Sequence, residues 1–142
     1  MANEETKEIL EELTEANPKE VLSKVDEINQ GGACVLMYLD ENKDKEIISD
    51  NIAKELNMSN CRVSKLIKRL VSCKFIAKVT NPKDARASFV KLTKKGTEEV
   101  KNIKDKLLKM FENVIKDVGI DNIKEYIRIS RMIKQSSLNY SL

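Results

Sequence analysis

The chain has 142 residues, 41% apolar and 35% charged, the balance of an ordinary globular protein long enough to bury a core as one domain. It has no histidine, only four glycines and three cysteines without zinc-ligand spacing, so neither an enzyme nor a metal or cofactor is expected. A net charge of +3, no apolar run near the ~20 residues that span a bilayer, and an acidic MANEETKEIL start without a signal core point to a cytoplasmic chain with free thiols and no membrane partner.

Ile9, Leu10 and Leu13 fall on one face of a short first helix. Pro18 disfavours helix at Asn17, which instead caps a second helix with Val21, Leu22, Val25 and Ile28 as its stripe, ended by Gly31-Gly32. The apolar run 33–39 is too short to assign by period, and the polar DENKDK after it favours helix. Residues 45–48 follow as a short strand or an extended lead-in. Ser49 is a good N-cap for a helix over 50–56 with Ile52, Ala53 and Leu56 inward. After Asn57-Met58, Ser59 caps a longer helix, NCRVSKLIKRLVSC. Two helices joined by a turn of about three residues form a helix-turn-helix.

On the second of these helices Val63, Leu66, Ile67 and Leu70 gather on one face. Cys61, Ser64, Lys65, Lys68 and Ser72 gather opposite, flanked by Arg62 and Arg69, and no acid occurs in the helix. Surface helices usually mix signs, because opposite charges at i,i+4 attract. The small net charge hides the same asymmetry on a larger scale. Residues 1–57 hold 6 Lys/Arg against 15 Asp/Glu, residues 58–104 hold 13 against 3, and residues 105–142 hold 7 against 5. A basic middle third attracts a polyanion through phosphate neutralisation and counterion release. Pairing of that third with the acidic N-terminal third is the blander alternative.

The runs FIAKVT (75–80) and SFVKL (88–92) alternate and carry β-branched or aromatic residues, with the turn-forming NPKDARA between them, and read as a β-hairpin. Thr93 caps a helix with the stripe Val100, Ile103, Leu107, Met110, Phe111, Val114 and Val118, ended by Gly119. Asp121 caps a last helix carrying Ile123, Ile127 and Ile133. The fold class is therefore mainly α with a small β-hairpin. A helix-turn-helix followed at once by a hairpin is a winged helix, whose second helix enters a major groove while the hairpin tip, here Asp84 and Arg86, reaches toward a minor groove.

These residues resemble the multiple-antibiotic-resistance regulator (MarR) family. Asp84-x-Arg86 followed by Leu92-Thr93-x-x-Gly96 is similar to its wing signature, and Ile52-Ala53-x-x-Leu56, Val63-Ser64, Ile67 and Leu70 are similar to its helix-turn-helix, from about residue 31 onward. The resemblance implies a homodimeric transcriptional regulator, often a repressor, bound to a near-palindromic operator and released by a small molecule or by thiol oxidation. It implies one domain, 1–142, with a DNA-binding lobe over 31–93 and a helical dimerisation lobe from 1–30 and 94–142. It places the helix 59–73 in the major groove, through Ser59, Asn60, Arg62, Ser64, Lys65, Lys68 and Arg69. The wing 75–92 lies on the minor groove, through Arg86 oriented by Asp84. One position departs: the family often has glycine between this helix and the first wing strand, where Lys74 stands. A left-handed backbone there costs lysine roughly 1 kcal/mol relative to glycine.

The expected partners are double-stranded DNA, a second copy and a small-molecule effector. The dimer surface is assigned to residues outside the basic third, Ile9, Leu13, Phe111, Ile127 and Ile133, with intramolecular core as their blander reading. Cys61 is the candidate redox-sensing thiol, since it lies on the DNA face near a helix N-terminus beside Arg62 and Lys65. Cys34 and Cys73 read as packing residues. An alternative function is a winged-helix module that takes a protein or RNA on its basic face.

Overall fold

Six helices and one antiparallel hairpin make up the described residues, 4–16, 31–84 and 86–140, of this computed structural model. In chain order they are α1 (Glu4–Ala16), α2 (Gly32–Glu41), α3 (Ser49–Glu55), α4 (Asn60–Ser72), β1 (Ile76–Val79), β2 (Phe89–Leu92), α5 (Lys94–Val118) and α6 (Ile120–Ser137). The helix expected to carry Val21, Leu22, Val25 and Ile28 lies outside the described residues. The chain divides into two compact units, Val25–Ile103 and Met1–Lys24 with Lys104–Leu142.

The first unit is built on α2. Residues 32–36 and Leu39 are all buried, so the run that resists assignment by period is a helix covered on most sides. Ile52 of α3, Val63 and Leu70 of α4 and Ile76 of β1 are buried in the same unit, each contributing about 1.5–3 kcal/mol of hydrophobic stabilisation. The hairpin pairs Ile76 with Leu92 and Val79 with Phe89. Residues 45–48 form no strand, but the Ile47 carbonyl accepts the Val90 N–H at 2.7 Å and ties that segment to β2.

Helix starts and stops follow local chemistry, with one correction. Ser49 is the first residue of α3, not its cap; Ile48 occupies that position, and its N–H donates to Asn51 Oδ1 at 2.9 Å. Both helices of the helix-turn-helix end in the same way. Asn57 (φ 51°) follows α3 and Lys74 (φ 64°) follows α4, each left-handed. Met58 N–H donates to the Ala53 carbonyl, and Phe75 N–H to that of Leu70, the six-to-one bond of a Schellman motif.

In the second unit α1 packs on α6 around Ile9, Ile123 and Ile127, with Leu13, Val114 and Ile115 at the edge. Gly119 (φ 89°) separates α5 from α6 and is the N-cap position of α6, so Asp121 lies in the first turn and not at the cap. Lys124–Glu5 (3.8 Å) and Arg131–Glu12 (3.6 Å) bridge α6 to α1 at the surface.

Candidate nucleic-acid interface

Helix α4 opens on Ser59, whose hydroxyl oxygen accepts the Arg62 N–H at 3.2 Å and satisfies one of the free donors of the first turn. Val63, Leu66, Ile67 and Leu70 anchor it inward. Asn60, Cys61, Arg62, Ser64, Lys65 and Lys68 are exposed and Arg69 is half-buried. Among the described residues no carboxylate pairs with Lys65 or Lys68, so this face carries uncompensated positive charge. Arg62 and Arg69 lie on a different flank. The Nη2 atom of Arg62 is 3.1 Å from where a Cβ on Gly31 would stand, and that of Arg69 is 2.9 Å from the same point on Gly32. Both guanidiniums therefore rest at the start of α2.

The exit from α4 is held by the chain that follows the wing. The Thr93 hydroxyl donates to the Lys74 carbonyl (2.6 Å) and accepts the Gly96 N–H (3.0 Å), so one side chain caps α5 and closes the end of α4. The Lys95 ammonium donates to the Cys73 carbonyl at 3.1 Å and sits 5.1 Å from the Phe75 ring centroid, a cation at a helix C-terminus. This role of Lys95 was not legible in the sequence, because the two elements it joins are 22 residues apart.

At the wing tip the Asp84 carboxylate accepts the backbone N–H of Arg86 at 3.0 Å, an Asx turn. Asp84 thus shapes the loop through the main chain, and no ion pair joins it to the Arg86 guanidinium among the described residues. Arg86 is exposed and lines a groove of about 290 Å³ together with Ser64 of α4, Lys78 of β1 and Asp50 of α3. The fold therefore brings the wing arginine and the outer face of α4 to one place. Lys78 is the cation missed in the sequence; its alternation with Ala77 in β1 was the available signal.

The remaining candidates fall elsewhere. Ile9, Phe111 and Ile127 are buried within the chain itself and Leu13 is half-buried, whereas Ile133 is 66% exposed. Cys61 is exposed and Cys34 buried. Cys73, expected to pack, is exposed, because it is the C-cap of α4 on the outer side of the Schellman turn. No trio of metal-ligating side chains occurs among the described residues, and no described helix is long and apolar enough to cross a membrane.

Residues 17–103 match the family described as transcriptional regulator SarA/Rot. The chain belongs to that family. It is a winged-helix, DNA-binding regulator of transcription and not an enzyme. It is 25% identical over 99 residues to the HTH-type transcriptional regulator BilQ of Clostridioides difficile (strain CD3), covering 70% of this chain and 66% of BilQ. The S. aureus MepR–DNA complex superimposes with a TM-score of 0.62 at 20% identity, over 82% of this chain and 87% of MepR. The heme sensor PefR of Streptococcus agalactiae, solved with heme, also gives 0.62, at 22% identity over 96% and 95% of the two chains. These likenesses place the SarA/Rot chain in one fold with both proteins.

Proposed function

We propose that this SarA/Rot regulator is a homodimeric repressor that places α4 in the major groove of a near-palindromic operator and Arg86 in the adjacent minor groove. The observation that carries the reading is that Arg86 shares a groove with Ser64, which lies on the exposed face of α4 that also carries Lys65 and Lys68. An unpaired basic surface gains free energy when phosphates cover it and counterions leave. Ser59, Asn60, Ser64, Lys65 and Lys68 are the contacts assigned to α4, with Arg86 on the wing and Asp84 shaping its loop. A twofold dimer sets two such helices about 34 Å apart, one turn of the duplex.

The dimer reading is supported by apolar exposure along the end of α6, where Ile129, Met132 and Ile133 are 43%, 58% and 66% exposed. The dimerisation lobe is the one expected over 1–30 and 94–142, and the DNA-binding lobe the one over 31–93. Its place of action is the cytoplasm, where the operator is. An effector, small-molecule or redox, is the remaining element, with Cys61 as the thiol on the reading face. MepR was solved with DNA and PefR with heme, which supports both kinds of partner for this fold.

The test is a set of DNA titrations at several salt concentrations, on random duplexes and on duplexes selected by the protein. Tight, salt-steep binding that prefers a short palindrome supports the reading. Binding no stronger than that of any basic protein transfers the face to a protein or RNA partner.

A further inference from the structure

Two of the four cations in the middle of α4, the exposed Arg62 and the half-buried Arg69, lie on the flank that meets the start of α2. Arg62 and Arg69 are seven residues apart, two turns on one flank, and their Nη2 atoms reach Gly31 and Gly32 in turn. The leucines beside them complete the seat: a Cβ on Gly31 would meet Leu66 Cδ2 at 3.8 Å, and one on Gly32 would meet Leu70 Cδ2 at 3.0 Å.

The two glycines have different reasons. Gly31 has φ 93°, a conformation that disfavours any side chain. Gly32 is the first residue of α2 and has no such backbone demand; a side chain there has to move the Arg69 guanidinium and a Leu70 methyl, which stand in its space. Arg69 is half-buried, and both arginines are engaged within the protein. Lys65 and Lys68, on the outward face between them, have no such engagement among the described residues. Helix dipole does not explain the placement, since a helix N-terminus is the positive end and repels cations. Room does: each guanidinium end lies where a side chain on the glycine would begin.

Resting on the DNA reading above, we propose that Arg62 and Arg69 are positioning residues: they seat α4 on the glycine start of α2 and do not contact phosphates. They set the angle at which Asn60, Ser64, Lys65 and Lys68 meet the groove. Their loss then lowers discrimination among sequences, because a tilted helix keeps its charge and misplaces its base contacts. Gly32 is the other half of the joint, and a methyl there displaces Arg69.

The experiment uses a duplex recovered from a random library by selection with the wild-type protein, and a scrambled duplex of the same composition. Arg62→Ala, Arg69→Ala, Arg69→Lys, Gly32→Ala and the Gly32→Ala/Arg69→Ala double variant are titrated across salt, with Lys65→Ala as the phosphate-contact reference. The expected result for Arg62→Ala and Arg69→Ala is about tenfold weaker binding of the selected duplex, with scrambled-duplex affinity and salt slope as in wild type. Arg69→Lys does not restore binding, Gly32→Ala reproduces the loss, and the double variant adds little to either single change. Circular dichroism confirms that each variant is folded, and Arg69→Lys keeps the charge so that folding and electrostatics are separated. A salt slope lower by about one in Arg62→Ala or Arg69→Ala, restored by lysine, overturns the proposal and makes them phosphate contacts. Wild-type protein that shows no salt-steep binding overturns the DNA reading itself, and this role with it.

Discussion

The Phe75 carbonyl oxygen occupies the space where a Cβ on Gly96 would stand, well inside van der Waals contact. Gly96 lies in the first turn of α5, and Phe75 closes the Schellman turn of α4, so the two helices meet backbone to backbone. Thr93 and Gly96 of the Leu92-Thr93-x-x-Gly96 motif thus have one physical purpose: one caps α5 and binds the end of α4, the other leaves room for it.

Gly96→Ala is therefore expected to destabilise the protein by about 3 kcal/mol, the upper end of the usual overpacking range, because the obstacle is main chain and cannot swing aside. Alanine's better helix propensity, worth about 1 kcal/mol, does not offset this. Urea unfolding measures it. A midpoint equal to or above wild type would mean that α4 and α5 do not meet in this way.

Lys74→Gly should act in the opposite direction. Lys74 has φ 64°, and glycine relieves that strain while adding some freedom to the unfolded chain. The balance is a gain of about 0.5–1 kcal/mol, seen as a higher urea midpoint at unchanged slope.

On DNA, Arg86→Ala, Lys65→Ala and Lys68→Ala should each weaken binding and lower the salt slope by about one, without unfolding the protein. Lys65 and Lys68 should differ from Arg86 in selectivity if either touches a base edge. Unchanged affinity in all three would place the nucleic acid elsewhere.

In the second unit, Ile9→Ala should cost about 2–4 kcal/mol, since it opens a cavity against Ile123 and Ile127. Ile133→Ser should leave monomer folding nearly unchanged, since Ile133 is 66% exposed, and should shift the protein toward monomer in sedimentation. Equal loss of stability from both would assign Ile133 to the interior of its own chain.

Thiol labelling should be fast at Cys61 and Cys73, both exposed, and slow at buried Cys34. Alkylation of Cys61 in a Cys73→Ser background is expected to weaken DNA binding by adding bulk to the face of α4. Full affinity after complete modification would end the case for Cys61 as a sensor.

Much of this protein is written locally. The apolar period of α4, the cap at Ser59, the turn chemistry around Asp84 and the absence of acids from residues 60–73 are all properties of short stretches, and they suffice for a winged helix with a basic face. Packing between distant segments decided the rest. Arg62 and Lys65 carry the same charge on the same helix, and the fold brings Gly31 against the Arg62 guanidinium. Ile9 and Ile133 both read as apolar helix residues, and only the fit of α1 on α6 buries the first and exposes the second. Charge sign, capping and periodicity depend on neighbours along the chain, whereas the flank a side chain occupies depends on what the fold brings against it.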